Sequence, residues 1–284
     1  MEAPDLLQTR LEVTDGVAVI ELRNEGRRNA WNGRMAGEYR WLLHHCDERP
    51  DVRAVVVVGH GTDFCVGADF RELESVGESA SYERSREIPP APFAERADES
   101  LRRNHFYPLT LGVPVVAAIE GGCAGAGFVV STYADLRVVE AKARVSSSFA
   151  GLGLPAEYGI GWMLPRMMGT AQATAILLDS GPHSGSDVHR MGWAQYLTKD
   201  TGSARARAVE LAARIARDSA PSSVAMMKRQ LYVDAWRDAS EAYSRSVSDM
   251  DAAVGSADFR RSVAARRKGE RVDFRADYPR ETTS

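Results

Sequence analysis

Cysteine is scarce in this sequence: Cys46, Cys65 and Cys123 are the three among 284 residues. Three irregularly spaced thiols exclude a disulfide framework and supply no zinc-ligand pattern. Long apolar runs are missing too, and none approaches the roughly 20 residues that a membrane span needs. A charge excess is lacking as well. The 36 basic and 39 acidic residues give a net charge of -3, so no bulk field draws the chain to nucleic acid, although local basic clusters keep the capacity to bind phosphates. The N-terminal MEAPDLLQTRLEV has no basic stretch followed by an apolar block, and no secretory signal is expected there. No simple repeat occurs. These absences lead to the expectation of a reduced cytoplasmic enzyme without a metal site, bound to neither nucleic acid nor membrane.

What is present fits a substantial core. Hydrophobic residues make up 44% of the chain and charged residues 26%, ordinary values for a globular protein of one large or two modest domains. LEVTDGVAVIEL (11–22) reads as a hairpin, two alternating runs about a turn containing Asp15-Gly16. Helical spacing follows at Met35, Tyr39, Leu42 and Leu43 and stops near Pro50. RAVVVVGHG (53–61) and PVVAAIE (114–120) are buried strands that run into glycine-rich loops. The polar residues 75–98 read as an insertion or lid, and helical spacing resumes around Leu101–Leu111. FVVSTYADLRVVE carries a helix into a further strand. The segment 158–180 is helical, with Pro165 starting a new turn or kink, and 202 to about 268 is helical throughout. Strands first and helices last argue for an α/β fold with a helical C-terminal region.

Two loops share one layout. FCVGADF (64–70) and GCAGAGF (122–128) each follow a buried strand, turn on small residues and lead into a helix. Small residues let a ligand approach the main chain, and backbone N–H groups at the turn are left free to donate. Two such loops side by side would aim two N–H groups at one oxygen, the construction of an oxyanion hole. Each loop alone also fits a turn that merely ends a strand. GCAGAG lacks the G-x-G-x-x-G spacing of a dinucleotide loop, and no acidic residue follows at the ribose position.

RRNAW (27–31), GTDFCVGADF (61–70), PVVAAIEGGCAGAGF (114–128), ADLRVVEAKARV (134–145), GLPAEYGIGWMLPRMMG (153–169) and SADFRRSV (256–263) fall in the order and spacing of the crotonase superfamily. The chain resembles this enoyl-CoA hydratase/isomerase family over roughly residues 10–275. The resemblance implies a crotonase-type spiral of ββα units over 1–200 and a helical C-terminal trimerisation region over 201–284, assembled as a homotrimer or hexamer. It implies an acyl-CoA thioester substrate, with coenzyme A entering as part of that substrate and no separate cofactor. The two oxyanion N–H donors match Ala68 and Ala126, the second beside Gly125. Arg28 and Ala30 match the segment near the CoA phosphates and adenine, and Gly67, Asp69 and Phe70 the segment along the pantetheine. Arg27 supplies a further phosphate contact or a solvated turn, and Arg266 or Arg267 a phosphate contact to a neighbouring subunit.

The acids depart from the hydratase pattern. The two positions matching the hydratase glutamates hold Val129 and Phe149, and neither side chain moves a proton. Glu157, within AEYGIGWMLPR, matches the single carboxylate of one group of Δ3,Δ2-enoyl-CoA isomerases. Composition alone reads Glu157 as an acid in the first turn of a helix, favoured by the helix dipole. The resemblance reads it as a proton shuttle, with Val129, Phe149, Leu154 and Trp162 as its apolar neighbours. Hydration or hydrolysis with a different acid/base set, and acyl-CoA binding without turnover, stay open. His44, His45, His60, His183 and His189 are read as surface or capping residues. His105 precedes Phe106-Tyr107-Pro108 and could face the acyl pocket. Cys65 and Cys123 are read as small loop fillers rather than nucleophiles.

Overall fold

Asp15 and Gly16, at φ 50° and 81°, form the two-residue turn of the first hairpin. It joins β1 (Thr9–Thr14) to β2 (Val17–Leu22), antiparallel with Thr14 opposite Val17. The computed structural model describes residues 3–71, 74 and 88–275, and most of the 75–98 insertion lies outside the described residues. Beyond β2 the main sheet is parallel. β3 (Ala54–Gly59), β4 (Val115–Ile119), β6 (Leu136–Glu140) and β9 (Tyr196–Thr198) extend it in the order β1-β2-β3-β4-β6-β9. A second mixed sheet contains β5 (Gly122–Ala124), β7 (Arg144–Ser146) and β8 (His183–Ser184), in the order β5-β7-β8.

Both faces of the main sheet are covered, which is why its strands read as continuous β-branched runs. Side chains alternate across the pleat. Val55 and Val57 face the larger core with Met35, Leu42 and Leu43 of the helix Gly33–Glu48. Ala54, Val56 and Val58 take the opposite face, under the helix Ser203–Asp218. That helix presents Ala204, Ala208, Leu211, Ala212 and Ala216, a stripe at helical spacing whose alanines permit close approach to the sheet. The boundary drawn at residue 200 thus precedes a helix that packs directly on the strands. Three further long helices follow, Pro221–Tyr232, Ala239–Gly255 and Ala257–Arg267. Lys228 anchors the first of them. Its buried ammonium donates to the Pro108 and Val113 carbonyls at 3.1 and 2.8 Å and to Asp135 Oδ2 at 2.7 Å.

Several local expectations give way to the structure. The spacing at 101–111 resolves into two 3-10 segments, Glu99–Leu101 and Asn104–Thr110, the second containing Pro108, which cannot donate to an α-helical ladder. The helix Ile160–Leu178 accommodates Pro165 and breaks instead at Gly169, whose φ of 78° and ψ of 155° lie outside the helical region. That helix also starts later than expected. Its N-cap is Gly159, so Glu157 stands ahead of the first turn and outside the positions where the helix dipole favours an acid.

Candidate active site

The site is built at the C-terminal ends of two neighbouring parallel strands, where open α/β sheets present their loops to ligands. β3 ends at Gly59 and β4 at Ile119, and the turns that follow meet. Cys65 pairs with Cys123 as an isolated parallel bridge. The Cys65 N–H donates to the Gly122 carbonyl at 3.1 Å, and the Ala124 N–H to the Cys65 carbonyl at 3.0 Å. A Cβ added to Gly125 would stand 3.5 Å from the Gly67 Cα, so the gap between the two turns is about one methyl group wide at that point. Gly127 needs its hydrogen even more. A Cβ there would lie 2.3 Å from the Cys65 carbonyl oxygen.

Each of these turns carries an N–H group that is left without an acceptor among the described residues. The Gly67 carbonyl accepts from the Trp31 N–H at 2.7 Å, and the Asp69 N–H donates to the Trp31 carbonyl at 2.8 Å. Successive N–H groups in an extended chain point to opposite sides, so the intervening Ala68 N–H faces away from Trp31. Ala126 is the first residue of the helix Ala126–Thr132, where N–H groups have no intrahelical acceptor. Gly125, at φ 49° and ψ −115°, makes the turn into it, a conformation for which a side chain is badly suited. Among the described residues neither the Ala68 nor the Ala126 N–H has a hydrogen-bond acceptor.

The segment 27–31 is fastened along the first turn. Arg28 Nε and Nη2 donate to the two Asp63 oxygens at 2.8 and 3.0 Å. Asp63 Oδ1 also accepts from the Gly122 N–H at 2.6 Å, so one carboxylate ties segment 27–31 to both turns. The Arg28 hydrogen bond is the main cause that holds the Asp63 carboxyl below its ordinary range. Asn29, buried and at φ 57°, donates from Nδ2 to the His60 and Asp63 carbonyls at 2.9 and 2.8 Å. Arg27 Nη1 pairs with the buried Asp69 at 3.1 Å. Both arginines are therefore already engaged by carboxylates. Ala30 is buried, with its carbonyl accepting from Asn24 Nδ2 at 2.7 Å, whereas Phe70 is exposed. Asp63 is a structural member of the site that the sequence reading passed over, although GTDF contains it, and Asn29, inside the 28–30 segment matched to coenzyme A, braces that segment to the first turn.

Burial pushes the Cys65 thiol up to about 12 and the Cys123 thiol higher still, so both stay protonated and neither serves as a nucleophile. Val129 and Phe149 are buried in the apolar core. Glu157 is half-buried, and its carboxylate makes no hydrogen bond or ion pair with any described residue. Its neighbour Tyr158 stacks on His105 with ring centroids 3.5 Å apart, so His105 does stand beside the loop of the acid. Trp162 lies one helical turn further on. Its ring packs on Trp236, with centroids 4.1 Å apart, and on Phe106 at 6.2 Å, and Arg166 covers both tryptophans. Trp162 is thereby drawn toward the C-terminal region as well as toward the residues around position 106.

Two strand-end turns that approach at Gly67 and Gly125, each with an acceptor-free main-chain donor, have the layout in which backbone amides stabilise a developing oxyanion. Residues 12–271 match the family described as Enoyl-CoA hydratase/isomerase. The chain is 32% identical over 220 residues to a probable enoyl-CoA hydratase, EchA14, of Mycobacterium tuberculosis, covering 77% of this chain and 78% of the relative. It is 28% identical over 196 residues to the 1,2-epoxyphenylacetyl-CoA isomerase of Escherichia coli, covering 66% of this chain and 68% of that one. A solved structure of a putative enoyl-CoA hydratase from Streptomyces coelicolor superposes with a TM-score of 0.82 at 27% identity, covering 97% of each chain. The chain belongs to the enoyl-CoA hydratase/isomerase family, the crotonase family, and is an acyl-CoA-processing enzyme of it.

Proposed function

We propose that this enzyme moves the double bond of a 3-enoyl-CoA thioester into conjugation, using one carboxylate. The thioester carbonyl oxygen lies between the N–H groups of Ala68 and Ala126, which stabilise the dienolate. Glu157 takes a proton from the carbon next to the carbonyl, the double bond shifts, and the same carboxyl returns the proton at the γ-carbon. One group suffices because it is regenerated within the cycle. The observation that carries the reading is the pairing of two acceptor-free amides at touching turns with apolar residues, Val129 and Phe149, where a hydratase has its acids. Gly67, Asp69, Phe70 and Gly125 line the thioester's approach. Arg28 and Ala30 stand at the CoA end, where the Arg28 side chain keeps 67% of its surface exposed despite its pair with Asp63. Val129, Phe149 and Trp162 bound the acyl side.

The relatives named as hydratases favour hydration as the competing reading. Purified enzyme offered 3-enoyl-CoA and 2-enoyl-CoA separates the two, because isomerisation predicts bond migration with little water addition. Glu157→Gln is expected to lose roughly 10²–10⁴-fold in kcat while retaining affinity for acyl-CoA. A glutamine variant with full activity removes Glu157 from the mechanism. Self-association is part of the same proposal. Tyr243, Val247, Met250 and Val254 form an exposed apolar stripe on the helix Ala239–Gly255, a seam suited to further copies of this chain.

A further inference from the structure

The helix that carries the second amide donor is connected at its other end to the loop of the acid. Ala126 opens the helix Ala126–Thr132, and Tyr133 is its C-cap. Seven residues at 1.5 Å per residue make a rod of about 10 Å. The Tyr133 side chain is fully buried, and its hydroxyl donates to the Tyr158 carbonyl at 2.5 Å. Tyr158 directly follows Glu157. The far end of the rod is itself fixed. Arg137 Nη1 donates to the carbonyls of Ser131, Thr132 and Ala134, and Trp193 Nε1 donates to Thr132 Oγ1 at 3.0 Å.

The chain after Glu157 takes a shape that an unconstrained loop would avoid. Tyr158 has φ 51°, left-handed for a bulky residue, and Gly159 follows at φ 78°. Such backbone persists where its surroundings over-determine it. Here those surroundings are the Tyr133 hydroxyl, the His105 ring stacked on Tyr158, and the Phe106 ring, 3.0 Å from where a Gly159 Cβ would stand. Burial raises the Tyr133 phenol above its ordinary value, so it stays protonated and donates throughout the neutral range.

We infer that Tyr133 is a positioning residue that sets the Glu157 carboxylate relative to the Ala126 amide, by joining the helix of the one to the loop of the other. The inference rests on the reading of Glu157 as proton shuttle. Tyr133→Phe removes the hydroxyl and keeps the ring. Because misplacement of a reacting group by about 1 Å costs on the order of 10²-fold, Tyr133→Phe should lower kcat by roughly 10- to 100-fold with KM nearly unchanged. In a Glu157→Gln background it should cost nothing further, since there is no longer a carboxylate to aim. Binding of a saturated acyl-CoA should match that of the parent enzyme. If Tyr133→Phe keeps full kcat while Glu157→Gln has lost it, the inference is overturned and the proposed function stands. If the loss appears equally in KM and melting temperature, or adds in full to that of Glu157→Gln, the hydroxyl serves only the fold and the inference is again overturned. A fully active Glu157→Gln overturns both.

Discussion

The contact between the two turns can be tested by one added carbon, at Gly127. An alanine Cβ there would meet the Cys65 carbonyl oxygen at 2.3 Å, the Cys65 Cβ at 2.8 Å and the Cys65 carbonyl carbon at 3.0 Å. Ordinary contacts begin at about 3.5 Å, so the helix Ala126–Thr132 must move from Cys65 by about 1 Å. Overpacking of this kind costs typically about 1–3 kcal/mol and occasionally more. Against that, alanine is favoured over glycine within a helix by about 1 kcal/mol. The clash is with backbone that β5 and the Cys65–Cys123 bridge hold in place, so the upper part of the overpacking range applies and the net is a destabilisation of about 2 kcal/mol. For a chain of this size that lowers the melting temperature by about 4–8 °C. Activity should suffer more than stability. Under the proposed mechanism the shift displaces the Ala126 amide from the thioester oxygen, and losing one oxyanion donor costs about 10²–10³-fold in kcat. Thermal melts and steady-state turnover of Gly127→Ala measure the two effects. A variant at least as stable as the parent and fully active would show that the turns are not in contact and would refute the geometry of the site.

Two further outcomes are expected. The Asp63 carboxyl is held below its ordinary value chiefly by Arg28, so its contribution to stability is complete above the ordinary carboxylate value of about 3.9 and is lost as pH falls through the lower folded value. Melting temperatures across pH should therefore show the parent more stable than Asp63→Asn at neutral pH and the difference vanishing in acid; a difference that grows in acid contradicts the assignment. Val247→Glu with Met250→Glu places two charges in the exposed stripe of Ala239–Gly255, and light scattering should find the parent associated and the variant monomeric; an unchanged mass for the variant excludes that face from the interface.

Those features that depend on neighbours in sequence were legible before the structure. Asp15-Gly16 forces its own turn because few residue pairs adopt two positive φ angles. The valine runs 55–58 and 115–116 could only be strands covered on both faces, and the small residues at 65–68 and 122–127 announced close backbone approach. The likeness to crotonases rested on six motifs in order, from RRNAW (27–31) to SADFRRSV (256–263), and the fold agrees. The short strands Arg144–Ser146, His183–Ser184 and Tyr196–Thr198 were not legible, because two or three residues carry no period. Neither was the break at Gly169, since Pro165 is the stronger local signal and the structure absorbs it.

The active-site braces were hidden for a different reason. Tyr133 and Tyr158 are 25 residues apart, and Arg28 and Asp63 are 35 apart. Each partner looks ordinary in its own segment. Tyr133 reads as one more apolar position on the way into a strand, and Asp63 as a polar turn residue. Their roles follow only once parallel strands bring the C-terminal ends of β3 and β4 together, which obliges the intervening carbonyls and carboxylates to find donors. The proposed mechanism has a specific consequence. Backbone amides cannot be re-aimed by changing their own side chains, so under that mechanism the placement of the oxyanion donors falls to residues such as Asp63, Gly127 and Arg137 that fix the surrounding chain. In this protein, variants at those positions are expected to alter turnover as strongly as variants at Ala68 or Ala126, where substitution leaves the donating N–H in place.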